Sequence, residues 1–320
     1  MNAVFTTRFM IGLLFIIGCN AKDDSNIKLG INNEINRSDE FSSNLKHIII
    51  NEATFNYTDT GSGEPIVFVH GGLEDYRTWE PQIEIFSKDY RIITYSRRYN
   101  FPNDNQLEVN SFSAKTEAED LARFITDLKL GPVHVVGHSF GGLISLFLTK
   151  SNPELVRSLT LSEPALISWL IDIPGGKVHY DDFYNKLIEP IKQAFHNKDT
   201  VGVLRKTLIY FAGADILEKL PEEAIDQMTA NLPEWYFMSQ SPDPFPEFKR
   251  KDLNDIKVPI LTISGGQTLP MLQLINKELK TILPKAPHYH LEEGTHDLWF
   301  TFPEQAGQAV LSFIETIPKK

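Results

Sequence analysis

The chain has 320 residues, 42% hydrophobic and 23% charged, enough to bury one large core and too well balanced for wholesale disorder. A formal charge of −11 argues against a sequence-independent grip on nucleic acid or anionic lipid, because both need a basic field. The single cysteine, Cys19, excludes an intrachain disulfide and any cysteine-based metal cluster.

Near the start, residues 9–17 form an apolar run after Arg8. It is too short to cross a bilayer and has the length of the hydrophobic segment of a secretory signal. Its ending, Ile16-Ile17-Gly18-Cys19, resembles a bacterial lipobox. On that reading residues 1–18 are a signal peptide and Cys19 is lipidated; an ordinary cleaved signal or a hydrophobic N-terminal helix is the alternative. Residues 19–44, rich in Asn, Asp and Ser without a sustained period, read as a flexible tether. Lys22-Asp23-Asp24 is similar to the signal that sends some lipoproteins to the cell surface, or is simply a solvated charged linker. The expected location is the bacterial envelope, at the outer membrane, with the N-terminal lipid as the only membrane contact.

From Leu45 the pattern becomes that of strands. Residues 46–50 and 53–58 are rich in β-branched side chains and read as an antiparallel pair. Gly61-Ser62-Gly63 turns the chain into 65–70, a continuous apolar run of the kind buried on both faces, and 91–95 and 133–136 are similar. Between them, 115–129 places Ala118, Leu121, Ala122, Ile125 and Leu128 on one helical face. Further strands fall at 155–162, 258–263 and 288–291, and a last helix at 303–316. Strands alternating with helices imply an α/β fold, a mostly parallel sheet covered on both faces. Residues 164–253 make a connection too long for a structureless loop and rich in aromatics, so they read as a helical cap. The core is then 45–163 and 254–320.

Gly137-His138-Ser139-Phe140-Gly141 follows the strand at 133–136 and precedes a helix-competent run from Leu143. A nucleophilic serine on a sharp strand-to-helix turn needs small neighbours at −2 and +2, because the backbone there is strained. Gly-x-Ser-x-Gly alone arises in roughly one chain in ten of this size, so its setting carries the signal. Two further pieces support it. His70-Gly71-Gly72 ends an apolar strand, where a loop amide can face a developing oxyanion. His296, in Gly294-Thr295-His296-Asp297, stands in a short loop between the last strand and the final helix, the place for a base in the order Ser, acid, His. His70 is read as shaping its loop and not as a base.

Together these residues resemble the α/β-hydrolase superfamily, in its capped esterase, haloperoxidase and C–C hydrolase-like branch. The resemblance covers about residues 45–317 and implies an eight-stranded sheet, Ser139 as nucleophile and His296 as base. It also implies an oxyanion hole from the amides of Gly72 and Phe140, and neither metal nor organic cofactor. A serine nucleophile disfavours dehalogenase and epoxide hydrolase chemistry, which in this fold use Asp. Two departures stand out. Ser96-Arg97-Arg98-Tyr99 replaces the usual Asp-x-Arg-Gly, and Ser264-Gly265-Gly266-Gln267-Thr268-Leu269-Pro270 lacks the usual acid after the seventh strand. The fold's other acid position, after the sixth strand, is occupied by Glu163, which is either the third member of the triad or a strand-end carboxylate bonded to the cap. The implied function is hydrolysis of a small to medium apolar carboxylic ester through an acyl-enzyme. C–C bond hydrolysis, cofactor-free perhydrolysis and slow-turnover ligand sensing use the same residues. The partner is a small molecule; oligomeric state is left open.

Overall fold

Short runs of β-branched and aromatic residues form eight strands: β1 Lys46–Ile50, β2 Ala53–Gly61, β3 Glu64–Val69, β4 Tyr90–Tyr95, β5 Val133–His138, β6 Val156–Ser162, β7 Ile260–Gly265 and β8 His288–Leu291. They make one sheet in the order β1-β2-β4-β3-β5-β6-β7-β8, and only β2 runs against the rest. The computed structural model describes residues 44–106 and 112–319. The expected signal peptide, Cys19 and nearly all of the expected tether lie outside the described residues. Among the described residues no helix is long and apolar enough to cross a membrane.

Side chains alternate between the two faces of the sheet. In β3, Val67 and Val69 join one core layer, whereas Ile66 and Phe68 join the other. β5 divides likewise, with Val133 and Val135 on the first face and Val136 on the second. The first layer is covered by the helices Ala114–Asp127 and Phe140–Ser151, the second by Glu80–Phe86 and Pro303–Glu315. Helix Ala114–Asp127 starts at Ser113, whose side chain accepts from the Thr116 amide. Its buried face carries Ala118, Leu121 and Ile125 as the periodicity requires, with Ala122 and Leu128 only partly buried. It also buries Glu117 and Asp120, which a reading by hydrophobicity sends to solvent. Asp120 takes two hydrogen bonds from the Arg98 guanidinium, at 2.6 and 2.8 Å, and so remains paired inside.

Between β6 and β7 the chain forms helices and 3-10 turns: Ile167–Ile171, a helix running from Lys177 to His196 through a π-helical turn at Tyr184–Ile188, then Thr200–Ala212, Glu222–Ala230, Leu232–Gln240 and Arg250–Asp255. Its apolar side chains, among them Trp169, Phe183, Trp235 and Phe237, are continuous with the first core layer.

On the second face Trp299, fully buried, meets Trp79 edge-on at 5.0 Å, and Trp79 meets Phe68 at 4.9 Å. The Trp299 indole also donates to Ser162 Oγ at 2.9 Å, tying the loop after β8 to the end of β6. Trp299→Ala removes this ring and leaves a cavity, so urea unfolding is expected to show a loss of about 3–5 kcal/mol.

Candidate active site

Ser139 stands between β5 and the helix Phe140–Ser151 with φ 53° and ψ −118°, in the strained geometry its neighbours were expected to permit. A side chain at Gly141 would place its Cβ 2.2 Å from the Val69 carbonyl oxygen and 2.5 Å from that of His70. At Gly137 it would lie 2.6 Å from the Gly141 carbonyl. These are backbone atoms that cannot swing aside. The turn is held by four backbone bonds: the Ser139 amide donates to Ser162 O at 2.9 Å, and Ser139 O accepts from Gly142, Leu143 and Ala165.

His296 reaches this serine from the loop after β8. Its Nε2 lies 3.0 Å from Ser139 Oγ, and its Nδ1 lies 2.8 Å from Glu163 Oε2. With Nδ1–H donating to the carboxylate, Nε2 is left to accept from the serine hydroxyl. Burial would hold this imidazole below its ordinary range; the hydrogen bond and charge of Glu163 outweigh burial and raise it.

Glu163 is fully buried at the end of β6, with φ 46°. The loop after β7, which carries no acid, furnishes donors to it. The Gly265 amide donates to Oε1 at 2.9 Å and the Thr268 hydroxyl to Oε2 at 2.6 Å, and Asn276 Nδ2 adds a bond to Oε1 at 3.2 Å. The hydrogen-bond partner of His296 is therefore the β6 carboxylate.

Beside the serine, two amides of the His70 loop are committed: Gly71 N donates to Glu74 Oε2 at 2.9 Å and Leu73 N to Glu234 Oε2 at 2.7 Å. Gly72 lies between them, and both Gly72 and Phe140 line the cavity over Ser139. His70 is buried, with Nδ1–H donating to Gly71 O and Nε2 accepting from the Arg97 amide; burial holds it well below its ordinary pKa. It shapes the loop, as expected.

Arg97, in the segment that departs from the usual Asp-x-Arg-Gly, is fully buried behind this loop. It donates to Gly71 O at 2.8 Å and pairs with Glu234 on the helix Leu232–Gln240, while Asn100 donates to Glu234 at 3.0 Å. The helical insertion is thus fastened to the loop bearing Gly72.

The cavity wall is mostly apolar, with Phe183, Leu208, Phe211, Trp235, Met238 and Phe245 among its members. Sequence reasoning did not place two acidic residues in this wall, Glu74 and Asp297, the second of which stood beside His296 in a segment already singled out. Burial pushes Glu74 up to about 8, aided by Asp297 and opposed by the Gly71 amide, His296 and Arg97. Burial likewise pushes Asp297 up to about 7. Their proximity to His70-Gly71 and to His296 in the chain was the available signal. Among the described residues no group of three or more His, Cys, Asp or Glu is placed to hold a metal ion.

A family model described as the alpha/beta hydrolase fold matches residues 64–303. The chain belongs to the α/β-hydrolase family. A relative from Acinetobacter baylyi, (E)-2-((N-methylformamido)methylene)succinate hydrolase, is 25% identical over 278 residues, 84% of this chain and 97% of its own. Among solved structures, the enol-lactonase of Burkholderia xenovorans superposes with a TM-score of 0.67 at 17% identity, over 84% of this α/β-hydrolase and 100% of that chain. The esterase EaEST of Exiguobacterium antarcticum gives 0.67 at 22% identity, over 84% and 99%. Both share the fold.

The buried carboxyls set a pH dependence of stability. Glu117, Asp297 and Glu74, raised by burial to about 7, 7 and 8, keep protons in the folded α/β-hydrolase that the unfolded chain has lost near pH 4. Where the folded state binds more protons, stability falls as pH rises. His296, raised when folded, adds to the fall; His70 and His138, lowered by burial, act only below about pH 6.5, where the unfolded chain takes up protons. The urea midpoint is therefore expected to be lower at about pH 8.5 than at about pH 7, with a smaller difference in Glu117→Gln. A midpoint that holds or rises would show these carboxyls already ionised at neutrality.

Proposed function

We propose that the protein is a serine hydrolase that cleaves a small to medium, largely apolar carboxylic ester through an acyl-enzyme. The observation carrying this reading is the unbroken chain of hydrogen bonds from Ser139 Oγ through His296 to Glu163. In the proposed mechanism His296 Nε2 takes the serine proton as Oγ attacks the carbonyl carbon. Glu163 holds the tautomer that permits this and stabilises the imidazolium. The amides of Gly72 and Phe140 receive the oxyanion. His296 then protonates the departing alkoxide, and water, deprotonated by the same imidazole, releases the acid.

The apolar wall supports an apolar acyl or leaving group. The Acinetobacter relative is named for a succinate derivative, whereas no Lys or Arg lines this cavity among the described residues. That contrast favours an ester lacking a carboxylate over the relative's kind of substrate. C–C bond hydrolysis and perhydrolysis stay as alternative uses of the same residues; a panel of esters of graded acyl length, set against vinylogous diketones and peroxide, separates them.

Ser139→Ala is expected to abolish turnover of p-nitrophenyl butyrate and labelling by a fluorophosphonate while leaving unfolding by urea nearly unchanged. Glu163→Gln keeps the shape but offers an amide to Nδ1, and kcat is expected to fall by about 10⁴-fold. Near-normal kcat in Glu163→Gln would return Glu163 to a purely structural part.

For location, we propose that the mature protein, after removal of residues 1–18, is anchored to the envelope through lipidated Cys19, on the strength of the apolar run and the Ile16-Ile17-Gly18-Cys19 ending. Cys19→Ala is expected to move the protein from the membrane pellet to the soluble fraction; an unmutated protein already soluble would remove the lipid from the reading.

A further inference from the structure

Glu74 and Asp297 take no part in the hydrogen-bond chain from Ser139 to Glu163, yet both line the cavity beside it. Each is only 8% exposed. Glu74 closes on the serine from the His70 loop: a Cβ built at Gly71 would touch Glu74 Oε1 and Ser139 Cβ, each at 3.1 Å. One Glu74 oxygen accepts from Gly71 N, and the other lies 3.7 Å from His138 Nε2. Asp297 follows His296 in the chain and also lines the cavity, and its Oδ2 is buried with no hydrogen-bond partner among the described residues. A buried carboxyl oxygen without a partner is costly, and a ligand group that satisfies it is favoured.

The cationic side of the wall is empty. Of the residues lining the cavity only His296 can carry a positive charge, and that is committed to Ser139 and Glu163. Arg97 does not line the cavity: it sits behind the loop, its Nη2 on Glu234 and Gly71 O and its Nε and Nη1 buried without a hydrogen-bond partner among the described residues. An anionic group entering here would lose its water in an apolar pocket and meet two carboxyls without a counter-ion.

We infer that Glu74 and Asp297 are specificity-determining residues that exclude carboxylate-bearing esters from this cavity and admit neutral or ammonium-bearing ones. The inference rests on the hydrolase reading above and names the substrate class for that site. Protonated, the two carboxyls donate to a neutral polar group; ionised, they pair with an ammonium group. The groups facing Glu74 are His138, His296, Asp297 and, from behind the loop, Arg97; those facing Asp297 are His296, Glu163 and Glu74. Glu74 and Asp297 ionise within the range where an esterase is assayed, so preference among charges shifts with pH. The protonation of His296 is common to all substrates and cancels in a ratio of rates.

The test uses the p-nitrophenyl esters of butyrate, succinate (as the half-ester) and 4-(trimethylammonio)butyrate, with uncatalysed hydrolysis subtracted. Near neutral pH, kcat/KM for the half-succinate is expected to be at least about tenfold below that for the butyrate. Between about pH 6 and 9 the ammonium-to-neutral ratio should rise by about tenfold and the anionic-to-neutral ratio should fall. In Glu74→Gln/Asp297→Asn both ratios should flatten with pH, and the anionic ester should gain on the neutral one. Equal rates for all three esters, or ratios unmoved by pH or by the double substitution, would overturn the inference. A binding measurement separates it from the hydrolase reading: Trp235 lines the cavity, so its fluorescence in Ser139→Ala can be titrated with the corresponding anilides. Binding ordered by charge without ester turnover in the unmutated enzyme would sink the hydrolase reading and keep this one; binding of the carboxylate anilide as tightly as the neutral one would sink this one.

Discussion

The arrangement of the site depends on how closely the helix after Ser139 approaches the end of β3. The Gly141 Cα sits so near the Val69 and His70 carbonyls that no side chain fits between them. That contact sets the start of the helix Phe140–Ser151 against the loop carrying Gly72, and it holds Ser139 in a conformation that L residues rarely adopt. Two segments separated by some 70 residues in sequence, at Gly72 and at Phe140, thereby line one cavity over Ser139. The strain at Ser139 is sustained because β5 is hydrogen-bonded on both sides, to β3 and β6, and cannot relax by sliding.

Placing the acid on β6 changes what fixes the distances. β5 and β6 are adjacent and pair His138 with Ser162, so the carbon skeletons of Ser139 and Glu163 are related by sheet register alone. Only His296 has to be delivered by a loop. That loop is fastened by the Trp299 indole on Ser162, again at the end of β6. The glycine and threonine of the acid-free loop after β7, with Asn276 from the following helix, then act as a cradle around Glu163, whose Oε2 also meets Nδ1 of His296. Thr268 is the more telling partner, since a hydroxyl at that point does for a carboxylate what a carboxylate there would have opposed.

The framework was legible because its signals are local. Alternation and short apolar runs located the strands to within one to three residues, and Gly-x-Ser-x-Gly with a following histidine located the turn and its partner. Glu163 could be read only through the resemblance, which offers a second acid position after the sixth strand when the one after β7 is empty, since nothing in Leu161-Ser162-Glu163-Pro164 itself marks a charged residue as buried. The misses share that cause. Glu117, Asp120, Arg97 and Glu234 are charged residues inside the protein: Glu234 pairs with Arg97 across 137 positions and Asp120 with Arg98 across 22, while Glu117 is buried with one oxygen lacking a hydrogen-bond partner among the described residues. A rule that sends charge to solvent has no access to such pairs. Glu74 was hidden by the same rule, two residues beyond His70-Gly71-Gly72, whereas Asp297 stood inside a segment already singled out without being assigned to the cavity wall.

The insertion begins directly after Glu163, and its first residues do not behave as part of a separate roof. Ala165 donates its amide to Ser139 O, and Pro164 packs so tightly on Gly142 that a Cβ there would come within 2.9 Å of its ring. These residues are welded to the turn at Ser139. Any swing of the insertion that admits substrate would therefore have to pivot beyond Leu166, because a hinge placed earlier would drag Glu163 off its histidine. At the far side, Glu234 and Asn231 are bound to Arg97 and Asp75 of the core, so that edge is a second anchorage. The helices between these two moorings, Lys177–His196 through Glu222–Ala230, give Phe183, Phe211 and Met228 to the apolar side of the cavity, away from the hydrogen-bonded side of the site.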